Sequence, residues 1–343
     1  MNLKMLVIGS CVVDLSYSVK ELPRPGQTTL GTLDIGAGGK GFNQAFAAAR
    51  VLEGFTADER DSTVTFIGPV GEDPESMLGP GPDSLGLIFD EFIEQRNQVN
   101  LEAHLLTMKG HRTGSASIVT DSTSQNQIVV DLGANLYLTY REVETTKNLR
   151  DFSLLQLKLE LAPELTLNIL KEAKSNGIKV VILNPAPADT FETKMLVYVD
   201  ILTPNQTEFK AVMDKTLEIQ PYMHYLVTLG DKGVAHVYRH DWGLPPEVNF
   251  SPSYKVDAVD SAGAGDAFNG ALAATLHKLS YNNLDSQLVQ EAAEIAQAYA
   301  ALSVTKVGTS KSYATNSELQ EFLGSQNKEG FTKITLQDLM EMI

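Results

Sequence analysis

Short unbroken apolar runs alternate along this chain with apolar residues at helical spacing. Met5 to Ile8 is a continuous apolar run of strand length, the pattern of a strand buried on both faces. Val64 to Val70, Phe152 to Leu159, Val180 to Leu183, Ile201-Leu202 and Leu226 to Leu229 read the same way. Between these runs the spacing predicts helices ending near Leu52, over Leu85 to Arg96, and from Pro163 to Ser175 with Gly177 as its stop. Further helices are predicted after Thr203–Glu208, up to Leu279, over Leu288 to Val304 and over Glu318 to Leu323. Asp14 to Val19 and Thr28 to Ile35 instead alternate polar with apolar, as strands with one open face do. Thr113 to Thr120 and Gln127 to Leu132 are two more extended segments, and Tyr254 to Val259 another. Strands alternating with helices predict an α/β fold, a mostly parallel sheet covered on both faces. The half-exposed strands predict a small sheet outside the main core. Residues 54–62 read as a polar loop and residues 77–86 as a surface insertion. Residues 331–343 carry an amphipathic pattern (Ile334, Leu336, Leu339, Met340, Ile343) expected to pack on the surface.

Composition narrows the function classes. The 343 residues are 43% hydrophobic and 20% charged, enough for one large α/β domain. The net charge is −16. Without a Lys/Arg block, such a chain is a poor binder of nucleic acid or of anionic membranes. A phosphorylated ligand must therefore be held locally, by backbone N–H groups, a few cations and metal ions. The single cysteine, Cys11, lies in an apolar run; it excludes an intrachain disulfide and reads as structural. No run reaches the ~18 apolar residues of a membrane span, and the N-terminus reads as a first strand rather than a signal peptide. The expected location is the cytoplasm.

Candidate chemistry gathers at two glycine-rich helix starts. In Gly263-Ala264-Gly265-Asp266, two glycines at a turn into a helix leave backbone N–H groups open at a positive helix end, an anion site. Asp266 falls in the first helical turn. An acid there complements the helix dipole in the ordinary way. Beside a phosphate nest it also suits a base that takes a proton from an attacking hydroxyl. The second start, Gly36-Ala37-Gly38-Gly39-Lys40-Gly41-Phe42-Asn43-Gln44-Ala45, lacks both the βαβ context of a dinucleotide fingerprint and the spacing of a Walker loop. It is either a close helix–strand contact or a place where backbone, Lys40 and Asn43 meet a polar ligand. Polar groups also recur just past strand ends, at Glu160, Asn184, Asn205, Glu208 and Thr228, where parallel α/β sheets bind ligands.

Over nearly its whole length, Leu6 to Ser317, the chain resembles the ribokinase-like (PfkB) carbohydrate kinases. Gly38 to Ala45 is similar to the family's first signature, and Asp257-Ala258-Val259-Asp260 through Gly263-Ala264-Gly265-Asp266 to its second. Asn184-Pro185-Ala186-Pro187-Ala188, Thr203 to Glu208 and Thr228-Leu229-Gly230 follow in the family order. The resemblance implies a three-layer α/β sandwich over residues 1–330, a small β-sheet lid from strands at about 14–36 and 100–120, and a tail at 331–343. It implies transfer of the γ-phosphoryl of Mg-ATP to the 5-hydroxyl of D-ribose; other sugar or nucleoside kinases share the fold, and a non-catalytic sugar binder would lack use for Asp266. By position, Asp266 matches the catalytic base and Gly263, Ala264 and Gly265 the anion hole. Val12, Val13, Asp14, Gly39, Lys40, Gly41, Asn43 and Glu160 match sugar-binding positions. Asn205 and Glu208 match the motif for Mg2+ and the phosphates; Thr228, Leu229, Gly230, Asp231, Lys232 and Gly233 match an ATP loop; Gln297 falls where adenine is approached. Asp260, Ala262, Ser303, Lys306, Gly308 and Ser312 match the loops that hold an activating K+, some through carbonyls. Homodimers through the lid are common in such kinases. Bacterial members usually carry Asn where this chain has Val12; an apolar group there implies weaker discrimination between ribose and 2-deoxyribose. Ser261 stands in place of Thr and keeps a hydroxyl.

Overall fold

Every residue of the first strand, β1 (Met5–Ile8), is fully buried. Met5 and Val7 pack into one apolar layer, and Leu6 and Ile8 into another. A strand with no exposed face needs helices on both sides, and β1 lies inside such a sheet. The computed structural model describes residues 4–53, 63–73, 81–96, 99–123, 125–279, 284–326 and 328–343. The loop expected at 54–62, and residues 77–80 of the expected insertion, lie outside the described residues.

The strands that follow are β2 (Val12–Val19), β3 (Gly31–Gly38), β4 (Val64–Gly71), β5 (Leu101–Met108), β6 (Gly114–Thr120), β7 (Asn126–Asp131), β8 (Leu154–Lys158), β9 (Val180–Asn184), β10 (Ile201–Leu202), β11 (His224–Thr228), β12 (Gly233–Tyr238), β13 (Glu247–Pro252) and β14 (Thr332–Ile334). The helices are α1 (Lys40–Val51), α2 (Leu87–Glu94), α3 (Tyr140–Thr146), α4 (Pro163–Ser175), α5 (Gln206–Thr216), α6 (Ala264–Leu279), α7 (Ser286–Ser303), α8 (Asn316–Ser325) and α9 (Leu336–Met342). Among the described residues, ten strands form the main sheet in the order β14-β13-β12-β11-β10-β9-β8-β1-β4-β5. Neighbours from β11 to β5 are parallel, and β12 to β14 extend the other edge antiparallel. Apolar residues of α1, α2, α6, α7 and α8 cover one face, and those of α3, α4, α5 and α9 the other. This is a three-layer α/β sandwich. A separate sheet, β3-β2-β6-β7, stands beside it.

Three elements differ from the sequence reading. β5, expected in the small sheet, is the edge of the main sheet, parallel to β4; the small sheet takes β6 and β7 instead. β3 lies three residues later than the alternation from Thr28 indicates, because Gly36 to Gly38 continue the pairing with β2 down to Val12. Glycine at the end of that ladder leaves room for a neighbouring acid: a Cβ on Gly38 would lie 2.4 Å from Asp14 Oδ2 and displace that carboxylate. Tyr254 to Val259 form no strand; the ladder runs through β13 just before them. The 331–343 segment packs through its amphipathic pattern: β14 pairs with β13, and Leu339 of α9 is fully buried.

α1 and α6 pack backbone to backbone on one face of the sheet. A Cβ on Gly270 of α6 would come within 2.4 Å of the Gln44 carbonyl and 2.6 Å of Ala47 Cβ in α1. Both helix starts reach the site described below, so this contact sets their spacing. Gly270→Ala must push the helices apart and is expected to cost about 1–3 kcal/mol, read as a lower urea midpoint at unchanged slope.

Candidate active site

α6 starts at a glycine held in the left-handed region. Gly263 has φ 75°, and a Cβ there would meet Tyr313 Oη at 3.0 Å and Thr309 Cα at 3.2 Å. The turn aims the start of α6 into a cavity of about 200 Å3 that Gly263, Gly265 and Asp266 line. The Ala264 N–H leans back on the Ser261 carbonyl at 3.3 Å. Lys40, from the start of α1, lines the same cavity, as do Asn184, Thr203, Asn205, Glu208, Thr228 and Asn269. Residues from both glycine-rich starts and from the ends of three strands, β9, β10 and β11, thus meet in one place, at the carboxyl ends of the parallel strands.

Asp266 is 7% exposed. Its Oδ2 accepts from Asn43 Nδ2 at 3.2 Å and its Oδ1 from Gln44 Nε2 at 2.9 Å. Asn43 Oδ1 is buried with no partner among the described residues, an acceptor ready for a ligand hydroxyl. The Asp266 carboxylate, with Glu160, holds the Lys40 ammonium above the ordinary lysine range. Burial pushes the Asp14 carboxyl up to about 6, and the Asp266 and Glu160 carboxylates add to this against a bond from the Thr309 hydroxyl at 3.2 Å.

The Gly39–Gly41 stretch proves to be a close helix–strand contact as well as a site wall. Gly39, at φ 86°, precedes α1, and a Cβ on Gly41 would lie 2.2 Å from the Ser10 N. Glu160 Oε2 accepts the Lys40 N–H at 3.0 Å and the Ser10 hydroxyl, and Ser10 Oγ takes the Gly41 N–H at 3.1 Å. Glu160 and Ser10 therefore satisfy the first two donors of α1, Glu160 that of Lys40 and Ser10 that of Gly41. Val12 and Val13 are buried at the base of β2. Burial pushes the Cys11 thiol far up, in keeping with a structural cysteine.

On the opposite side, Asn205 and Glu208 form a capping box at α5, with two reciprocal bonds of 2.9 Å. One Glu208 oxygen is used there, leaving the second for the cavity it lines. Thr228 ends β11 beside Asn205, and Leu229 to Gly233 form a tight turn with Gly230 at φ 62° and Gly233 at φ 137°. Lys232 donates to the Met342 carbonyl at 2.5 Å. Gln297 lies outside the cavity, bonded to the Ser251 carbonyl and to Lys328. Asp260 ties two loops together: its oxygens accept from Ala262 N and Gly308 N, each at 2.9 Å. Ser303 and Ser312 are buried nearby in sequence, each hydroxyl on a local carbonyl at 2.8 Å, and Lys306 pairs with Glu318.

Three further residues back the site without having been singled out from sequence. Gln44, Gln156 and Lys158 are each 0% exposed. Burial lowers the Lys158 ammonium to about 8, opposed by the nearby Asp266 and Glu160 carboxylates, and its Nζ reaches the Lys40 carbonyl at 3.5 Å. Leu155 and Leu157 of β8 face the α4 layer, so Gln156 and Lys158 face α1 and α6. Polar residues at every second position of an otherwise apolar buried strand were the signal.

The sequence profile of the pfkB family carbohydrate kinases matches residues 2–316. A ribokinase of Haemophilus influenzae is 33% identical over 341 residues, covering 94% of this chain and 99% of its own. A deoxyribokinase of Salmonella typhi is 29% identical over 334 residues, covering 92% and 97%. Among solved structures, ribokinase from Giardia lamblia superposes with a TM-score of 0.77 at 28% identity, over 94% of this chain and 99% of that one. Ribokinase from Thermotoga maritima gives 0.76 at 29% identity, over 94% and 100%.

The raised Asp14 carboxyl makes a stability prediction of definite sign. The folded chain holds this proton more tightly than the unfolded chain, so ionised Asp14 costs stability above about pH 6 and nothing below about pH 4. Asp14→Asn is expected to stabilise the protein by about 1–3 kcal/mol at pH 7, and the gain should vanish in denaturation curves recorded near pH 4.

Proposed function

Because this chain belongs to the pfkB family of carbohydrate kinases, we propose that it is an ATP-dependent ribose kinase forming D-ribose 5-phosphate. One observation carries the reading: a buried carboxylate, an open helix N-terminus and a lysine share one cavity. The ribokinase of Haemophilus influenzae, similar over almost its full length, supports ribose as the acceptor.

In this mechanism the 5-hydroxyl oxygen bonds to the γ-phosphorus of ATP as the bond from that phosphorus to the bridging oxygen of ADP breaks. The hydroxyl proton passes to Asp266 Oδ2, the oxygen that Asn43 also contacts. Charge gathering on the transferred oxygens meets the α6 start at Gly263 to Gly265 and the Lys40 ammonium, donors already fixed before the reaction. Asp14, Asn43 and the backbone at Gly39 and Gly41 hold the sugar hydroxyls, while Val12 and Val13 floor the pocket. Asn205, Glu208 and the turn from Thr228 to Gly233 hold the nucleotide phosphates, with Gln297 toward the base.

Metal ions fit the donor chemistry present. The unused oxygen of Glu208 suits Mg2+ through water, and Mg2+ there would neutralise phosphate charge. Asp260, bridging two loops, with the carbonyls and hydroxyls of Ala262, Ser303, Lys306, Gly308 and Ser312, offers hard oxygens suited to K+. Its role would be to hold the nest loop in shape.

A second reading is favoured by Val12, 3% exposed at the start of β2. An apolar group cannot reward a 2-hydroxyl with a hydrogen bond, so 2-deoxyribose should be accepted too; the Salmonella typhi relative is a deoxyribokinase. Two wider expectations belong to the same reading. No helix among the described residues is long and apolar enough to cross a membrane, consistent with a cytoplasmic enzyme. Tyr17, Leu33, Ile35 and Val129 are exposed and share one face of the small sheet by register, consistent with a homodimer through the lid.

The deciding assay follows ATP-dependent phosphorylation of ribose, 2-deoxyribose, fructose and a nucleoside, with and without K+. Ribose turnover stimulated by K+ is expected; no turnover of ribose or 2-deoxyribose would overturn the proposal. Asp266→Asn should lower kcat on the order of 10²–10⁴-fold. Val12→Asn should raise the ribose to 2-deoxyribose ratio of kcat/KM.

A further inference from the structure

A file of buried amides stands behind the Asp266 carboxylate. An ionised carboxylate only accepts hydrogen bonds. Gln44 Nε2, 2.9 Å from Asp266 Oδ1, must therefore be the donor. That turns Gln44 Oε1 away, toward Gln156, which donates to it through Nε2 at 2.9 Å. Gln44 Nε2 has a second acceptor, Asn184 Oδ1 at 3.2 Å. Asn184 is itself oriented, because its Nδ2 donates to the Thr203 carbonyl at 2.8 Å. The directions of Gln44 and Gln156 are thus set by the carboxylate, and that of Asn184 by the Thr203 carbonyl.

The file is costly to fold. Gln156 Oε1 is left buried with no partner among the described residues, and its neighbours along β8 are leucines. An apolar side chain would avoid that orphan acceptor. The charges facing Asp266 are Lys40 from α1, Lys158 from β8, Asp14 from β2 and Glu208 from α5; Tyr313 stands near as a neutral phenol, its ionisation pushed far up by burial. Ammonium groups attract a carboxylate without fixing its plane. A directional amide bond fixes it.

We propose that Gln44 and Gln156 are positioning residues for phosphoryl transfer. They lock the plane of the Asp266 carboxylate through Oδ1, so that Oδ2 faces the incoming hydroxyl. Gln156 acts through Gln44. The inference rests on Asp266 being the base of the proposed kinase reaction.

The test is a double-mutant cycle in the full-length protein, with ribose and ATP as substrates. Gln44→Leu and Gln156→Met should each lower kcat on the order of 10–10²-fold, while KM for both substrates stays within about two-fold. Gln156→Met removes one orphaned acceptor, Gln156 Oε1, and leaves another, Gln44 Oε1, without its donor; the count of orphans is unchanged, so thermal stability should change little, which separates positioning from folding. In an Asp266→Asn background, either change should bring no further loss, because residues acting only through Asp266 cannot add to its removal. Multiplicative losses, or a raised KM at unchanged kcat, would overturn the proposal. A crystal structure of Gln156→Met gives a readout independent of turnover: a rotated Asp266 carboxylate is expected, and an unmoved one counts against the idea. Absence of turnover in the unaltered protein would instead defeat the kinase reading itself.

Discussion

The close backbone contact between α1 and α6 is the constraint on which the site depends. Gly270 lets the two helices touch at the Gln44 carbonyl. At their N-terminal ends the same contact places Asn43 and Gln44 of one helix on the carboxylate of the other. A second contact of this kind, Gly41 against Ser10, seats α1 on the end of β1. Glycine is needed at both because no side chain fits between backbones at these distances. The geometry around Asp266 is therefore a by-product of helix packing, and displacements of either helix are transmitted to it.

Charge is managed on the same scale. The chain carries a net charge of −16, yet its proposed ligands are anionic. Lys40 and Lys158 lie among Asp14, Glu160, Glu208 and Asp266. Carboxylates crowd one another, so burial and repulsion push Asp14 up, whereas Lys40 is held charged. Backbone donors at the start of α6 add positive potential without adding a titratable group. With two lysines among four carboxylates, the proposed phosphate site must depend on these backbone donors rather than on net positive charge.

Much of this was legible in the sequence where local signals and burial agree. β1 and α4 match their expected bounds, Met5–Ile8 and Pro163–Ser175, because an apolar run, a Pro at the helix start and Gly177 after its end all coincide. The capping box at Asn205 and Glu208 was equally local. β5 was not legible: it is an edge strand, only partly buried, so its pattern did not tell the main sheet from the small one. Gln44 lay inside a quoted motif, but its partners are 112 and 222 residues away. Such a pairing exists only once the fold has formed. Gln297, placed by resemblance, bonds the Ser251 carbonyl and Lys328, the latter from a segment outside residues 2–316; neither bond had a local signal.

That tail also bears on what the protein avoids. Without β14, the six residues of β13 would end the main sheet as an open row of unpaired backbone groups. Such an edge is a template on which another chain can pair. β14 pairs with Val248, Asn249 and Phe250. It offers in exchange an edge only three residues long that carries Lys333. Short, charged edges recruit poorly. In the folded chain at high concentration, β14 thus works against intermolecular sheet growth.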